Sequence, residues 1–115
     1  MSDKLSLEDA IQECWQIAEE HGFHGVGRTF GDVCALIHTE VSEAFEAFRR
    51  DGQHWHYTEA DGKPEGSGAE LADVVIRCFD AAVADVGLTA NEFALLVEQK
   101  MEYNRRRGRL HGKAL

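Results

Sequence analysis

The chain has 115 residues, 43% of them hydrophobic and 29% charged, with a formal net charge of −9. That is one domain's worth of sequence, long enough to bury a core without disulfide staples, and its composition excludes both a disordered tail and a membrane segment. No apolar run approaches the ~20 residues of a spanning helix, and Met1-Ser-Asp-Lys4 lacks the basic-then-apolar pattern of a signal peptide, so the expected location is cytoplasmic.

The charge is unevenly placed. Residues 1–99 carry 20 acidic and 6 basic side chains, whereas residues 100–115 carry 1 acidic and 6 basic. An acidic body repels a phosphate backbone, which argues against a nucleic-acid-binding module. Such a body can hold divalent cations, and the basic tail, about residues 105–115, can meet the phosphates they carry. Cys14, Cys34 and Cys78 are odd in number and widely spaced, so they read as small apolar side chains on helix faces.

Four segments carry the 3.6-residue period, and the expected fold class is all-α, one four-helix domain over 1–115. The first helix is predicted from about Leu7 to His21, with Ser6 as N-cap and the stripe Leu7, Ile11, Cys14, Trp15, Ala18. A glycine-rich connector, Gly22–Gly31, follows. The second helix is predicted from about Asp32, as N-cap, to Arg50, with Val33, Leu36, Ile37, Val41, Ala44, Phe45 and Phe48 inward. Asp51 to Ser67 is polar and glycine-dotted, and a loop this long reads as a lid or as disordered. His54-Trp-His56 within it reads as mobile surface. The third helix is predicted from about Gly68 to Val86, with Leu71, Val74, Val75, Cys78, Phe79, Ala82 and Val86 inward. The fourth opens on a capping box, Thr89-Ala-Asn-Glu92, and runs through Phe93, Leu96, Val97 and Met101 to about Arg107.

Two helices bear acidic pairs three residues apart, Glu40 with Glu43 and Glu70 with Asp73. This spacing places both carboxylates of a pair on one face, and hard Mg²⁺ or Mn²⁺ prefers such oxygen ligands. Counted alone, the pairs are background in so acidic a chain. Position says more. At 100° per residue from Val33, the second helix's apolar arc runs from about 300° through 0° to about 120°, and Glu40 falls inside it at about 340°. Glu43 lies on its margin and Glu46 faces away. A carboxylate on a buried face needs a cation, and a bound metal is preferred here to a salt bridge with Arg77. Asp80 reads as solvated. Lys100, Asn104 and Arg107, at i, i+4 and i+7, share a face that suits a polyphosphate.

Other motifs fail. No glutamate has a histidine three residues on, as a ferritin-like di-iron site requires. Gly25-Val-Gly27 lacks the third glycine and preceding strand of a dinucleotide fingerprint, and no Gly-Lys-Ser/Thr closes a phosphate loop.

Glu40-Val-Ser-Glu43, a 26-residue insert and Glu70-Leu-Ala-Asp73 together resemble the E-x-x-E … E-x-x-D signature of the MazG-like all-α nucleoside triphosphate pyrophosphohydrolases. Dimeric dUTPases belong to the same superfamily. Lys100-Met-Glu-Tyr-Asn104-Arg-Arg-Arg107 is similar to the Lys…Asn…Arg element that follows in many members, and the likeness spans nearly the whole chain. One departure is Thr39, where many members carry a second glutamate before Glu40.

The resemblance implies Mg²⁺-dependent hydrolysis of a nucleoside triphosphate to the monophosphate and pyrophosphate, with Mn²⁺ as a substitute metal. It implies Glu40, Glu43, Glu70 and Asp73 as metal ligands, and Glu40 or Glu43 as general base. Lys100, Asn104 and Arg107 would bind phosphate, and the base would sit near Gln12 or Trp15. A homodimer or homotetramer is also implied, which the broad apolar faces of Phe45, Phe48, Phe79 and Phe93 suit. The alternative is a non-catalytic helical regulatory or interaction module on the same scaffold.

Overall fold

In the computed structural model, which describes residues 5–25 and 27–108, four helices carry the chain: α1 (Leu7–Glu20), α2 (Phe30–Asp51), α3 (Ser67–Ala84) and α4 (Ala90–Arg106). A single turn of 3₁₀ helix, Phe23–Gly25, interrupts the α1–α2 connector. The tail Arg109–Leu115, with two of the six basic residues of 100–115, lies outside the described residues, as do Met1–Lys4 and Val26. No described helix is long and apolar enough to cross a membrane.

Local chemistry sets the helix starts. Ser6 Oγ accepts from Asp9 N at 3.0 Å and begins α1 where expected. At α4, Thr89 Oγ1 accepts from Glu92 N at 3.0 Å and Glu92 Oε1 accepts from Thr89 N at 2.9 Å, the anticipated capping box. We expect Thr89→Ala to cost about 1 kcal/mol of stability, read from thermal or denaturant unfolding, because it removes the oxygen that accepts from Glu92 N and leaves only the backbone bond to Glu92 Oε1.

Asp32 is not the N-cap of α2. Thr29 is, with Asp32 as the third helical residue returning a bond from Oδ2 to the Thr29 N–H at 3.1 Å. A second capping box, Thr-x-x-Asp, thus starts the helix earlier than Asp32. α3 begins one residue before the predicted Gly68 and ends at Ala84, two residues before Val86, with Asp85 as its C-cap.

Among the described residues, the Asp51–Ser67 loop contains the one departure from an all-helical chain, an antiparallel ladder of β1 (His56–Tyr57) and β2 (Pro64–Glu65). It is fastened to α3 by the His54 carbonyl, which accepts from Gly68 N at 2.8 Å, and by His54 Nδ1 against Ser67 Oγ at 2.7 Å. His54 also stacks on Phe48. This backbone contact caps a helix whose N-cap, Gly66, has no side chain to offer. Gly66 is required there: its φ is 110°, and a Cβ would stand 2.6 Å from the His54 carbonyl carbon.

The helices meet through small residues. Ala18, Ala44, Ala47, Ala81, Ala82, Ala90 and Ala94 are buried, and Ile11 is the largest side chain wholly removed from solvent. Leu7, Phe79, Val83 and Phe93 pack around Ile11, Ala90 and Ala94. Many residues expected to face inward do not. Leu36, Val41, Phe45, Phe48, Leu71, Val75, Val86, Leu96 and Met101 are all largely exposed.

Candidate metal centre

α2 and α3 pack antiparallel, and their facing turns carry the two acidic pairs. Glu40, Glu43 and Glu70 each offer a carboxylate oxygen, and these three atoms lie within 4.8 Å of one another. Asp73, one turn beyond Glu70, lines the same cleft as Glu40. Glu40 is 13% exposed at its side chain, which matches its place inside the apolar arc, and its Oε1 accepts from Arg77 Nε at 3.0 Å. The salt bridge and the carboxylate cluster therefore coexist at one residue.

The four carboxylates are held against their own repulsion. Burial, followed by the charges of Glu43, Asp73 and Glu40, raises the pKa of Glu70 against a smaller pull from Lys63. Burial and Glu40 do the same to Asp73, against Arg77 and Lys63. Arg77 answers only part of this charge, and a hard cation with oxygen preference fits what is left. Raised carboxylates bind protons more readily folded than unfolded. The metal-free fold therefore gains stability as pH falls through their folded values, while any cation site weakens over the same window. We expect Glu70→Gln to raise the melting temperature of the metal-free protein by roughly 2–5 °C, the response to a relief of about 1 kcal/mol in a chain of this size. Calorimetry with EDTA checks this; a lower melting temperature would show Glu70 to be a structural support.

The cleft beside the carboxylates has a volume of about 240 Å³ and is lined by Cys14, Ile17 and Ala18 of α1, Phe23 and Arg28 of the connector, Glu40, and Asp73, Ile76, Arg77 and Asp80 of α3. It joins an apolar wall to a charged one, as small-molecule sites do, but falls below the ~300 Å³ from which such sites usually start.

Asp80 is not solvated. It is 6% exposed, with Oδ1 at 2.8 Å from His24 Nε2 and Oδ2 accepting from Arg28 Nη2 at 2.9 Å. Arg28 also holds Asp85 through Nε (3.3 Å) and Nη2 (2.5 Å). His24, Arg28 and Asp85 were not singled out from sequence. A helical signal existed for Asp80 alone, since Asp73, Arg77 and Asp80 fall at i, i+4 and i+7 on one face of α3.

The remaining predicted site residues stand elsewhere. Gln12 and Trp15 border a separate groove with Val83, Gly87, Leu88, Thr89 and Ala90, and Trp15 stacks on His24 at 5.3 Å. The α1 side chains that reach the cleft are Cys14, Ile17 and Ala18, one helix face away. Lys100 and Asn104 are exposed on α4, Arg107 is its C-cap with extended backbone and so leaves the face expected for it, and none of the three lines the cleft; Lys100 and Arg107 both approach the Tyr103 ring. Compared with family models, with curated proteins and with solved structures, the chain matched none.

Proposed function

We propose that this chain is a Mg²⁺-dependent nucleotide pyrophosphohydrolase, which hydrolyses a nucleoside triphosphate, or a related nucleotide, to the monophosphate and pyrophosphate. The observation that carries this reading is the convergence of Glu40, Glu43 and Glu70 within 4.8 Å, with Glu40 also lining a partly apolar cleft. Mg²⁺ or Mn²⁺ bound there would supply a Lewis acid for the phosphoryl oxygens.

The chain's own side chains then divide the work. Glu40 is held by Arg77 and is a positioned ligand. Glu43 is exposed and makes no hydrogen bond or ion pair among the described residues, so it is the better proton acceptor for the attacking water. Glu70 and Asp73 complete the acidic wall. The apolar side chains Ile17, Ile76 and Phe23 offer flat surface for a base.

The phosphate role of Lys100, Asn104 and Arg107 requires more than one copy of the chain, because none of the three lines the cleft of a single copy. A homodimer or homotetramer is part of the proposal for a second reason. Large apolar side chains stand exposed on α2 and α3, among them Phe45, Phe48, Leu71 and Val75, and a second copy of the chain would cover them.

The Arg77–Glu40 ion pair favours one competing reading, a helical interaction module in which the carboxylates are structural. A pyrophosphate-release screen of the purified protein with Mg²⁺, across canonical and damaged nucleoside triphosphates, separates the two. Turnover abolished by EDTA supports the enzyme; no turnover across the panel, with no Mg²⁺ stabilisation of the fold, overturns it.

A further inference from the structure

The connector between α1 and α2 forms one wall of the cleft through Phe23 and Arg28. Apolar burial does not hold it there. Phe23 is 55% exposed, and of the described residues from His21 to Phe30 only His24 and Arg28 are not classed as exposed. Its attachment is ionic, and it divides into two parts. Arg28 is fixed to Asp80 and Asp85. His24 is fixed to Glu19 Oε1 through Nδ1 at 2.7 Å and to Asp80 Oδ1 through Nε2 at 2.8 Å.

Those two distances set the protonation state. An ionised carboxylate only accepts hydrogen bonds, and a neutral imidazole has one N–H to give. Both contacts can be made at once only by the imidazolium. Remove its proton, and one ring nitrogen faces a carboxylate oxygen lone pair to lone pair. Gly22 and Gly27, with φ of 76° and 70°, bracket the segment and let the backbone turn away.

We propose that His24 is a protonation-operated latch on the cleft: charged, it clamps the Phe23–Gly25 turn between α1 and α3; neutral, it frees that turn while Arg28 stays anchored.

The groups facing His24 are Glu19 of α1, Asp80 of α3 and Arg28 of the connector, with the Trp15 ring stacked on it. Asp85 lies behind Arg28, and the Cys14 thiol of α1 lies in the field of Asp80. Burial opposes the imidazolium, and the hydrogen bonds to Asp80 and Glu19 together outweigh burial and Arg28, so the pKa is raised. With a folded value above the unfolded ~6.5, the latch contributes fully below about pH 6.5 and is lost as pH rises through the folded value. The cleft wall opens on the alkaline side. This inference does not depend on the hydrolase reading.

The test uses the two tryptophans. Trp55, 73% exposed in the loop, is replaced by phenylalanine, leaving Trp15 as the reporter stacked on His24. Its emission is expected to rise with pH in a one-proton transition with a midpoint above ~6.5. The His24 ring resonances should titrate with the same midpoint. Amide exchange of residues 23–25, corrected for intrinsic base catalysis, should accelerate about tenfold across it, while Ala81 and Ala82 in α3 stay unchanged. His24→Gln should abolish the transition. A His24 midpoint at or below ~6.5 would overturn the latch, as would flat exchange at 23–25 or a transition that persists in His24→Gln. If His24→Gln does not fold, the ring titration and exchange of the unmutated histidine decide the matter alone.

Discussion

Glu40→Gln is expected to lower Mg²⁺-dependent pyrophosphate release at least a hundredfold, a loss of about 2.7 kcal/mol in transition-state stabilisation. The substitution keeps shape and retains an amide oxygen that accepts from Arg77 Nε, so the bond at 3.0 Å survives in neutral form. Stability should therefore change by about 1 kcal/mol or less. What is lost is one charge of a set in which Glu40, Glu43 and Glu70 stand within 4.8 Å of one another. Arg77→Ala is the control. It removes the cation that balances Glu40 and should strain the fold more than Glu40→Gln does, while cutting turnover less. If Glu40 serves only the salt bridge, the ranking reverses: unfolding responds to both variants and turnover to neither. Steady-state rates beside thermal unfolding of the two proteins distinguish these outcomes.

The unmodified protein is expected to sediment as dimers or larger, as proposed, and Phe45→Glu is expected to leave it as single chains of 12.8 kDa at the same concentrations. Phe45 is 64% exposed and Phe48 58%, one turn apart on α2, with Val41 exposed a turn earlier. On neighbouring α3, Leu71 and Val75 are likewise exposed. Exposed apolar side chains on two neighbouring helices are what the proposed association would cover, and a central aromatic in such an interface carries about 2 kcal/mol or more. A charge at that place should weaken the dissociation constant at least about a hundredfold. Sedimentation velocity across micromolar concentrations checks both proteins. Single chains in the unmodified protein would remove the oligomer from the proposal and, with it, the phosphate role assigned to Lys100, Asn104 and Arg107.

Much of the fold was legible because it is local. Ser6 and Thr89 cap helices through bonds three residues away, and a sequence displays that spacing directly. Thr29 and Asp32 show the limit of such reading: the same motif was present, and the acid was mistaken for the cap when it is the third member of the box. The acidic pairs were legible for the same reason, since i, i+3 on two helices survives any packing that faces them. Whether they meet depends on the α2–α3 register, which only the packed chain sets.

The helical period alone determined that Glu40 lies on an apolar face, and that α2 has an apolar arc spanning about half its circumference. Tertiary structure decided how that arc is used. Val33, Ala44, Ala47 and Glu40, centred near about 350°, turn to α3, because small residues let two backbones approach. Val41, Phe48 and Phe45, from about 60° to about 120°, are left outside, since one neighbouring helix covers only part of so wide an arc. Tertiary structure also decided Asp80. Its partner Arg28 stands 52 residues away in an irregular connector, and no period links a loop cation to a helix acid. Long-range ion pairs depend on where the chain turns back, and that is a property of the assembled helices.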